Sequence, residues 1–147
     1  MKTVNPKSYK LQVKSTTENL SLIRDFIQNN ALKRGVPQHI IDKIILAVDE
    51  ASTNIIKHAY HSKPDGDIII QLEFSFDKCR IILIDFGDGF NPSVIPQPDM
   101  PEYFEKRKVG GLGLHLIRTL MDYVEYHTDK GGYNQLTIAK KIKNSAA

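Results

Sequence analysis

Residues 46–60 read LAVDEASTNIIKHAY, a segment that combines a helical apolar pattern with polar residues at helical spacing. Its apolar residues continue a three- and four-residue repeat that predicts an amphipathic helix to about His58. Glu50 and Asn54 are four positions apart and share one face of that helix, and Lys57 follows three positions later. The spacing suits a carboxylate base beside a metal-binding amide oxygen. A solvated helix face with an ordinary charge pair is the alternative for these residues taken alone.

The residues before this helix predict a strand and a first helix. Tyrosine, leucine and valine alternate with polar residues at about 8–14, which is typical of a half-buried strand. Ser15 and Glu18 have the S-x-x-E spacing of a capping box, so we expect them to start the first helix. Gly35 ends that helix, and Pro37 suits the first turn of the next one.

The residues after it predict a hairpin, a third helix and a second hairpin. The apolar patterns place strands at about 68–76, 79–84, 124–128 and 135–142, and a helix opened by residues 110–113. The order β-α-α-β-β-loop-α-β-β has no regular βαβ alternation. It therefore favours an α+β fold, a two-layer sandwich of helices on a mixed, mostly antiparallel sheet.

Length and composition exclude several classes of protein. A chain of 147 residues predicts one domain, 1–147, and 41% hydrophobic with 25% charged residues is ordinary globular usage. The longest apolar runs are far shorter than the roughly 20 residues that span a bilayer, and no signal peptide opens the chain. We therefore expect a cytoplasmic protein that does not enter membranes. A net charge of +3 gives little support for nucleic-acid binding, and one cysteine, Cys79, excludes an intrachain disulfide.

A glycine-rich turn, DFGDG at 85–89, directly follows the apolar run 81–84. Asp85 at the end of a buried strand can accept a hydrogen bond from an exocyclic amine, and Gly87 and Gly89 let a flat ring approach the backbone. A turn that merely closes a hairpin is the alternative. The letters DFG also occur in eukaryotic-type protein kinases, but this chain lacks their H-R-D-x-x-x-x-N motif and is too short for that fold.

Glycines also precede the third helix. Gly110, Gly111 and Gly113 offer backbone N–H groups at the positive end of the helix dipole, an arrangement that binds phosphate. No G-K-[ST] sequence follows, so this is not a Walker A motif. A flexible loop joined to a helix cap is the alternative.

The segment at about 91–109 has four prolines and no sustained periodicity. A long irregular loop inside a small domain is typical of a functional lid. Three consecutive cations lie in it, and cations near transferred phosphate are what phosphoryl transfer requires. They are Lys106, Arg107 and Lys108.

The order of these motifs resembles the N box and the two glycine boxes of the GHKL superfamily of ATPases, which includes gyrase B subunits, histidine kinases and DNA mismatch-repair ATPases. Within it, LAVDEASTNIIKHAY and GGLGLHLIRTLMD are similar to the bacterial anti-sigma-factor serine/threonine kinases of partner-switching systems. The resemblance extends from about Tyr9 to Ile142. It implies the Bergerat, or histidine-kinase-like, ATPase fold.

The resemblance also implies roles for individual residues at an ATP site. Asn54 would bind Mg²⁺, Asp85 would recognise the adenine amine, and Lys57 would approach phosphate. Glu50 would be the general base that takes the proton from a serine or threonine hydroxyl group of a protein substrate. The other implied ATP-binding residues are Gly87, Gly89, Lys106, Arg107, Lys108, Gly110, Gly111, Leu112 and Gly113.

One position departs from the superfamily pattern. Its members often carry a threonine near the adenine on one of the last two strands, where this chain reads YNQLT at 133–137. Asn134 is the expected substitute in the ATP site. Thr137 is a second candidate, at a shifted spacing.

The implied function is an ATP- and Mg²⁺-dependent serine/threonine protein kinase. By analogy it phosphorylates an anti-sigma-factor antagonist of the STAS type, sequesters a sigma factor or equivalent regulator, and forms a homodimer through apolar faces of the first strand or first helix. A nucleotide-dependent protein-binding module without kinase activity is the alternative, and a standalone ATPase is a third reading. Glu50 favours the kinase, because binding ATP requires no base.

Overall fold

The computed structural model describes residues 7–89, 113–129 and 132–142. These residues form five strands and three α-helices, with further short turns. In chain order they are β1 (Lys7–Lys14), α1 (Leu20–Lys33), α2 (Gln38–Asn54), β2 (Asp67–Phe74), β3 (Lys78–Asp85), α3 (Gly113–Leu120), β4 (Tyr123–Asp129) and β5 (Tyr133–Lys141).

The five strands make one sheet in the order β1-β2-β3-β5-β4. Every strand pair in the described chain is antiparallel. The two-layer α+β sandwich is confirmed, and its sheet is antiparallel throughout rather than mixed. The last strand, β5, lies between β3 and β4 in the sheet. Asp85 at the end of β3 is therefore paired with Asn134 on β5.

The core lies between one face of the sheet and the helices. Strands β2 and β3 bury every second residue, as the period-2 sequence pattern of β2 predicts. α1 packs against α2, and α3 packs against α2 as well. The largest fully buried side chains include Phe74, Ile23, Ile41, Ile44, Ile70, Leu83 and Ile138. Burial raises the pKa of the Cys79 thiol to about 12, so this cysteine stays a protonated core residue.

The predicted capping box at the first helix is wrong. Ser15 is 1% exposed, and its hydroxyl group donates to the Lys63 carbonyl at 2.6 Å and accepts from the Gly66 N–H at 3.0 Å. The backbone of the turn at 63–66 needs hydrogen-bond partners, and Ser15 satisfies two of its groups instead of capping a helix. The chain enters α1 through a 3-10 turn at Thr17–Asn19.

The second helix differs from its prediction at both ends. Pro37 has an extended ψ of 143° and precedes the first turn, where its carbonyl accepts from the N–H groups of Ile40 and Ile41. At the other end the chain continues beyond Asn54 as a π turn, Ile55–Ala59. The helical segment therefore has the predicted length. Its last turn is wider than an α-helical turn, which changes the direction of the residues after Ala59.

The apolar residues of the first strand face the core and are buried or half-buried. Val13 is buried, and Tyr9 and Leu11 pack against the core. The first helix does expose apolar side chains, because Leu22 and Leu32 are each 53% exposed. In the part of the chain that the structure describes, no helix combines the length and the apolar character that crossing a membrane requires.

We expect Ser15→Ala to lower the free energy of unfolding by about 1–3 kcal/mol, because it removes the hydroxyl group that bonds two part-buried backbone groups of the turn at 63–66. Urea unfolding measures the change. Ser21→Ala is the matched control, since the Ser21 hydroxyl is exposed and makes one long bond of 3.3 Å to the Glu18 carbonyl. The control should change stability by less than about 0.5 kcal/mol. Equal unfolding midpoints for the two variants would contradict this account of Ser15.

Candidate functional site

Asp85 lies at the carboxyl end of β3 with its side chain in the interior of the sandwich. It is 2% exposed, because the alternation of β3 turns it toward the helices. Its Oδ1 atom accepts hydrogen bonds from Asn134 Nδ2 at 2.8 Å and from the Gly87 N–H at 3.0 Å. Since both bonds end on one oxygen, Oδ2 can accept a hydrogen bond from a ligand.

Asn134 is buried and bridges two parts of the site. Its Nδ2 group donates to the Gly87 carbonyl at 3.0 Å as well as to Asp85. The structure thus brings together three residues that the sequence analysis selected. It does not bring Thr137 to them, because Thr137 pairs with Ile82 and alternates onto the opposite face of the sheet.

The electrostatics of Asp85 favour a ligand that donates a hydrogen bond. Burial raises the pKa of Asp85, and the hydrogen bonds from Asn134 and Gly87 offset part of the rise. Both of these donors are neutral, so they supply no compensating positive charge. A buried carboxylate of this kind gains from each further N–H donor, and an exocyclic amine provides one.

Gly87 and Gly89, in the turn at 85–89, lie so close to neighbouring atoms that neither position has room for a side chain. A Cβ atom at Gly87 would overlap the backbone carbonyl of Ala59, at the end of the π turn. A Cβ atom at Gly89 would overlap the methyl group of Thr128 and lie 3.0 Å from Asn134 Oδ1. The turn is therefore packed closely between the end of the second helix and the hairpin of β4 and β5.

Two residues at this site were missed by the sequence analysis. Thr128 lies beside Gly89, and pairing the last two strands around their glycine turn would have placed it opposite Asn134. Tyr60 accepts a hydrogen bond from the Phe86 N–H at 2.8 Å. The sequence signal for Tyr60 was weaker than that for Thr128. It was only the presence of an aromatic residue with a hydroxyl group directly after the helix that carries Glu50.

Asn54, the last residue of α2, has an unsatisfied polar atom. The side chain is 6% exposed, and its Oδ1 atom has no hydrogen-bond partner among the described residues. A buried amide oxygen without a partner costs about 1–3 kcal/mol. A metal cation satisfies such an oxygen, because a cation requires only an acceptor.

Glu50 lies one helical turn before Asn54 and is half-buried. Burial is the main cause that raises the pKa of its carboxyl group; Asp49 raises it further, and Lys57 lowers it. A pKa shifted toward neutral pH makes a carboxylate a stronger base. Lys57 is exposed in the π turn, close enough for its charge to act on Glu50.

The donor set fits Mg²⁺ better than a metal that needs an all-protein cage. Within residues 7–89, 113–129 and 132–142, no group of three or more His, Cys, Asp or Glu side chains converges on a metal position. Mg²⁺ is commonly bound through one or two protein oxygens together with phosphate oxygens and water. The Oδ1 atom of Asn54, which has no partner among the described residues, meets that requirement.

The remaining predicted residues fall mostly outside the described chain. The lid at about 91–109 lies there. So do Lys106, Arg107, Lys108, Gly110, Gly111 and Leu112. Gly113 is the first residue of α3, which packs against α2 and so belongs to the same helical layer as Glu50 and Asn54.

A second concave region lies on the sheet face opposite the helices. This outer groove has a volume of about 620 Å³. Its lining includes Glu73, Arg80, Glu125, His127, Gln135 and Thr137. It shares no residue with the Asp85 site, and its charged side chains pair with one another, as Arg80 does with Glu73 at 2.6 Å.

Comparison with known proteins agrees with this geometry. Residues 13–140 match the model of the histidine kinase-like ATPase domain family. The chain is 35% identical over 125 residues to the serine-protein kinase RsbW of Listeria monocytogenes, covering 82% of this chain and 80% of the relative. It is 36% identical over 126 residues to RsbW of Staphylococcus aureus, covering 82% and 79%.

A solved structure shares the fold. The crystal structure of the RsbU and RsbW domains of Rv1364c from Mycobacterium tuberculosis superposes with a TM-score of 0.68 at 16% identity, over 94% of this chain and 33% of that one. The family match covers most of the chain, and the two RsbW proteins exceed 30% identity over most of their length. The chain therefore belongs to the histidine kinase-like ATPase domain family and, within it, to the RsbW-type serine-protein kinases.

Proposed function

We propose that this chain is an ATP- and Mg²⁺-dependent serine/threonine protein kinase, with ATP binding and phosphoryl transfer in one domain. The observation that carries the proposal is the buried Asp85 carboxylate, held on one oxygen by neutral donors. It lies next to the end of the helix that supplies Asn54 and Glu50. The 35% identity to a serine-protein kinase supports the type of reaction.

In this proposal Asp85 recognises adenine. Its Oδ2 atom accepts a hydrogen bond from the exocyclic amine, while Asn134 and the Gly87 N–H hold Oδ1 in place. The missing side chains at Gly87 and Gly89 let the turn pack against Ala59 and Thr128, where the Gly87 N–H reaches Asp85. The pocket therefore selects a base by a buried polar contact, which discriminates strongly against a base that lacks the amine.

Asn54 would hold Mg²⁺ through its Oδ1 atom, which is buried and without a partner among the described residues. When bound, the ion neutralises charge on the phosphate oxygens and favours phosphoryl transfer. Lys57, exposed in the next turn, would add positive charge on the same side of the helix.

Glu50 would act as the general base. Its carboxylate accepts the proton of a substrate serine or threonine hydroxyl group as that oxygen attacks the γ-phosphorus and ADP leaves. Half-burial and the neighbouring Asp49 raise the pKa of Glu50, which strengthens it as a base, and Lys57 offsets part of that rise.

The partners follow from the family resemblance. We propose that the phosphorylated protein is an anti-sigma-factor antagonist of the STAS type and that the sequestered partner is a sigma factor or equivalent regulator. The proposal includes a homodimer, which the exposed Leu22 and Leu32 on α1 support. It also includes a cytoplasmic location, where ATP is available to a kinase.

We expect Glu50→Gln to keep ATP affinity within about threefold and to lower phosphoryl transfer by about 10²- to 10⁴-fold, because the amide cannot accept the hydroxyl proton. The assay combines the purified protein, γ-labelled ATP, Mg²⁺ and extract of the source cells, and it measures label on a separate small protein. Glu18→Gln, an exposed position before α1, is the matched control and should transfer label at the wild-type rate.

The two outcomes of this assay separate the candidate functions. Label transferred by the wild type and by Glu18→Gln, but not by Glu50→Gln, supports the kinase. Equal transfer by Glu50→Gln would remove Glu50 from the role of base. No transfer by the wild type, with ATP binding intact, would favour a nucleotide-dependent binding module.

We expect Asp85→Asn to weaken ATP binding by at least about a hundredfold. The introduced amide keeps an oxygen for Asn134 and Gly87, but it turns an N–H donor toward the adenine amine, so two donors face each other in a buried site. Isothermal titration calorimetry with ATP and Mg²⁺ measures the change. ATP affinity within threefold of the wild type would contradict adenine recognition by Asp85.

The same variant gives a prediction about stability and pH. The pKa of Asp85 is raised above its ordinary value, so the folded protein binds this proton more tightly than the unfolded chain does. The contribution of Asp85 to stability therefore falls as pH rises from the ordinary pKa through the raised one. Asp85→Asn removes that fall. Urea unfolding between about pH 4 and pH 8 should show the variant gaining stability relative to the wild type as pH rises.

A further inference from the structure

Two consecutive residues at the end of the π turn contact three consecutive residues of the glycine turn. The Phe86 N–H donates to Tyr60 Oη, the Gly87 backbone lies against Ala59, and the Asp88 N–H donates to the Ala59 carbonyl at 2.9 Å. These contacts join the helix that carries Asn54 to the turn that follows Asp85. We call them the 59–88 contact.

Tyr60 makes the most strongly constrained bonds in the 59–88 contact. Its hydroxyl group accepts from the Phe86 N–H at 2.8 Å and donates to the Asp67 carbonyl at 2.5 Å. Burial raises the pKa of Tyr60, so the hydroxyl keeps the proton that this second bond requires. By contrast, the Asp88 carboxylate pairs with His61 at 2.9 Å where both side chains are exposed, and exposed pairs contribute little.

The ring of Tyr60 packs closely against the backbone of Gly66. A Cβ atom at Gly66 would overlap the ring, so the aromatic side chain fills the space above the start of β2. Its hydroxyl group therefore occupies a defined position relative to β2, and the Phe86 N–H is bound to that position.

The peptide bond that Tyr60 binds is the one directly after Asp85. The next N–H along the chain, that of Gly87, donates to Asp85 Oδ1 at 3.0 Å. A rotation of the Phe86 peptide would move this donor and release one of the two bonds that orient the carboxylate. Resting on the ATP-binding function proposed above, we infer that Tyr60 is a positioning residue that sets the direction of the Asp85 carboxylate and so contributes to selection of adenine.

The test compares ATP with inosine triphosphate, in which a carbonyl oxygen replaces the exocyclic amine. Dissociation constants for both nucleotides with Mg²⁺ are measured on Tyr60→Phe, which removes the hydroxyl group and keeps the ring. Tyr123→Phe is the matched control, because Tyr123 bonds Glu125 on the opposite face of the sheet. Urea unfolding checks that each variant is folded at the assay temperature.

We expect Tyr60→Phe to weaken ATP by about five- to tenfold and inosine triphosphate by less than about twofold. The preference for ATP then falls by about fivefold, while Tyr123→Phe keeps the wild-type preference. A general loss of stability would weaken both nucleotides equally. The preference is a ratio measured on one sample, so it does not depend on the fraction of folded protein.

Two negative results have different meanings. An unchanged preference in Tyr60→Phe, with a strong preference in the wild type, would overturn the positioning role and leave the ATP site intact. A wild-type protein that binds both nucleotides equally, or neither, would contradict the proposed adenine site itself.

Discussion

The burial of one carboxylate, that of Asp85, is the constraint on which the site depends. An ionised group in a protein interior must have donors, and the fold provides neutral ones from two directions. Asn134 comes from the strand inserted between β3 and β4, and the Gly87 N–H comes from the turn that follows. The turn reaches that position only because Gly87 lies against the Ala59 carbonyl, at the end of a π turn rather than an α-helical one.

Some buried polar residues have their hydrogen bonds satisfied within the protein, and others do not. The buried polar residues in the described chain are Ser15, Ser52, Asn54, Asp85 and Asn134. Ser15 has a structural role, because it satisfies the backbone of the turn at 63–66. Asp85 and Asn134 satisfy each other in part, and Asn54 keeps an oxygen without a donor in the described chain. Uncompensated groups of this kind reduce stability, and in the proposed function a nucleotide with its cation would satisfy them.

Much of the fold could be predicted from the sequence, because it depends on local patterns. Alternation in β2, the apolar run of β3 and the helical repeat of α2 predicted the right elements and the two-layer architecture. The π turn was not predictable, since π winding has no distinct composition, and Ser15 was misassigned because its partners lie 48 and 51 residues away. The meeting of Asp85 with Asn134 was expected from family resemblance, whereas Thr128 and Tyr60 reach the site through strand register and turn packing that local patterns do not encode.

We propose that the Asp85 end of the sandwich, and not the outer groove, binds the nucleotide. The most direct measurement is an NMR titration of isotope-labelled protein with Mg²⁺ and a non-hydrolysable ATP analogue. We predict that the backbone signal of Gly87 and the side-chain amide signals of Asn54 and Asn134 shift together at one affinity, while those of Arg80 and Thr137 stay in place. Shifts confined to Arg80, Thr137 and their neighbours on the outer face would contradict the claim.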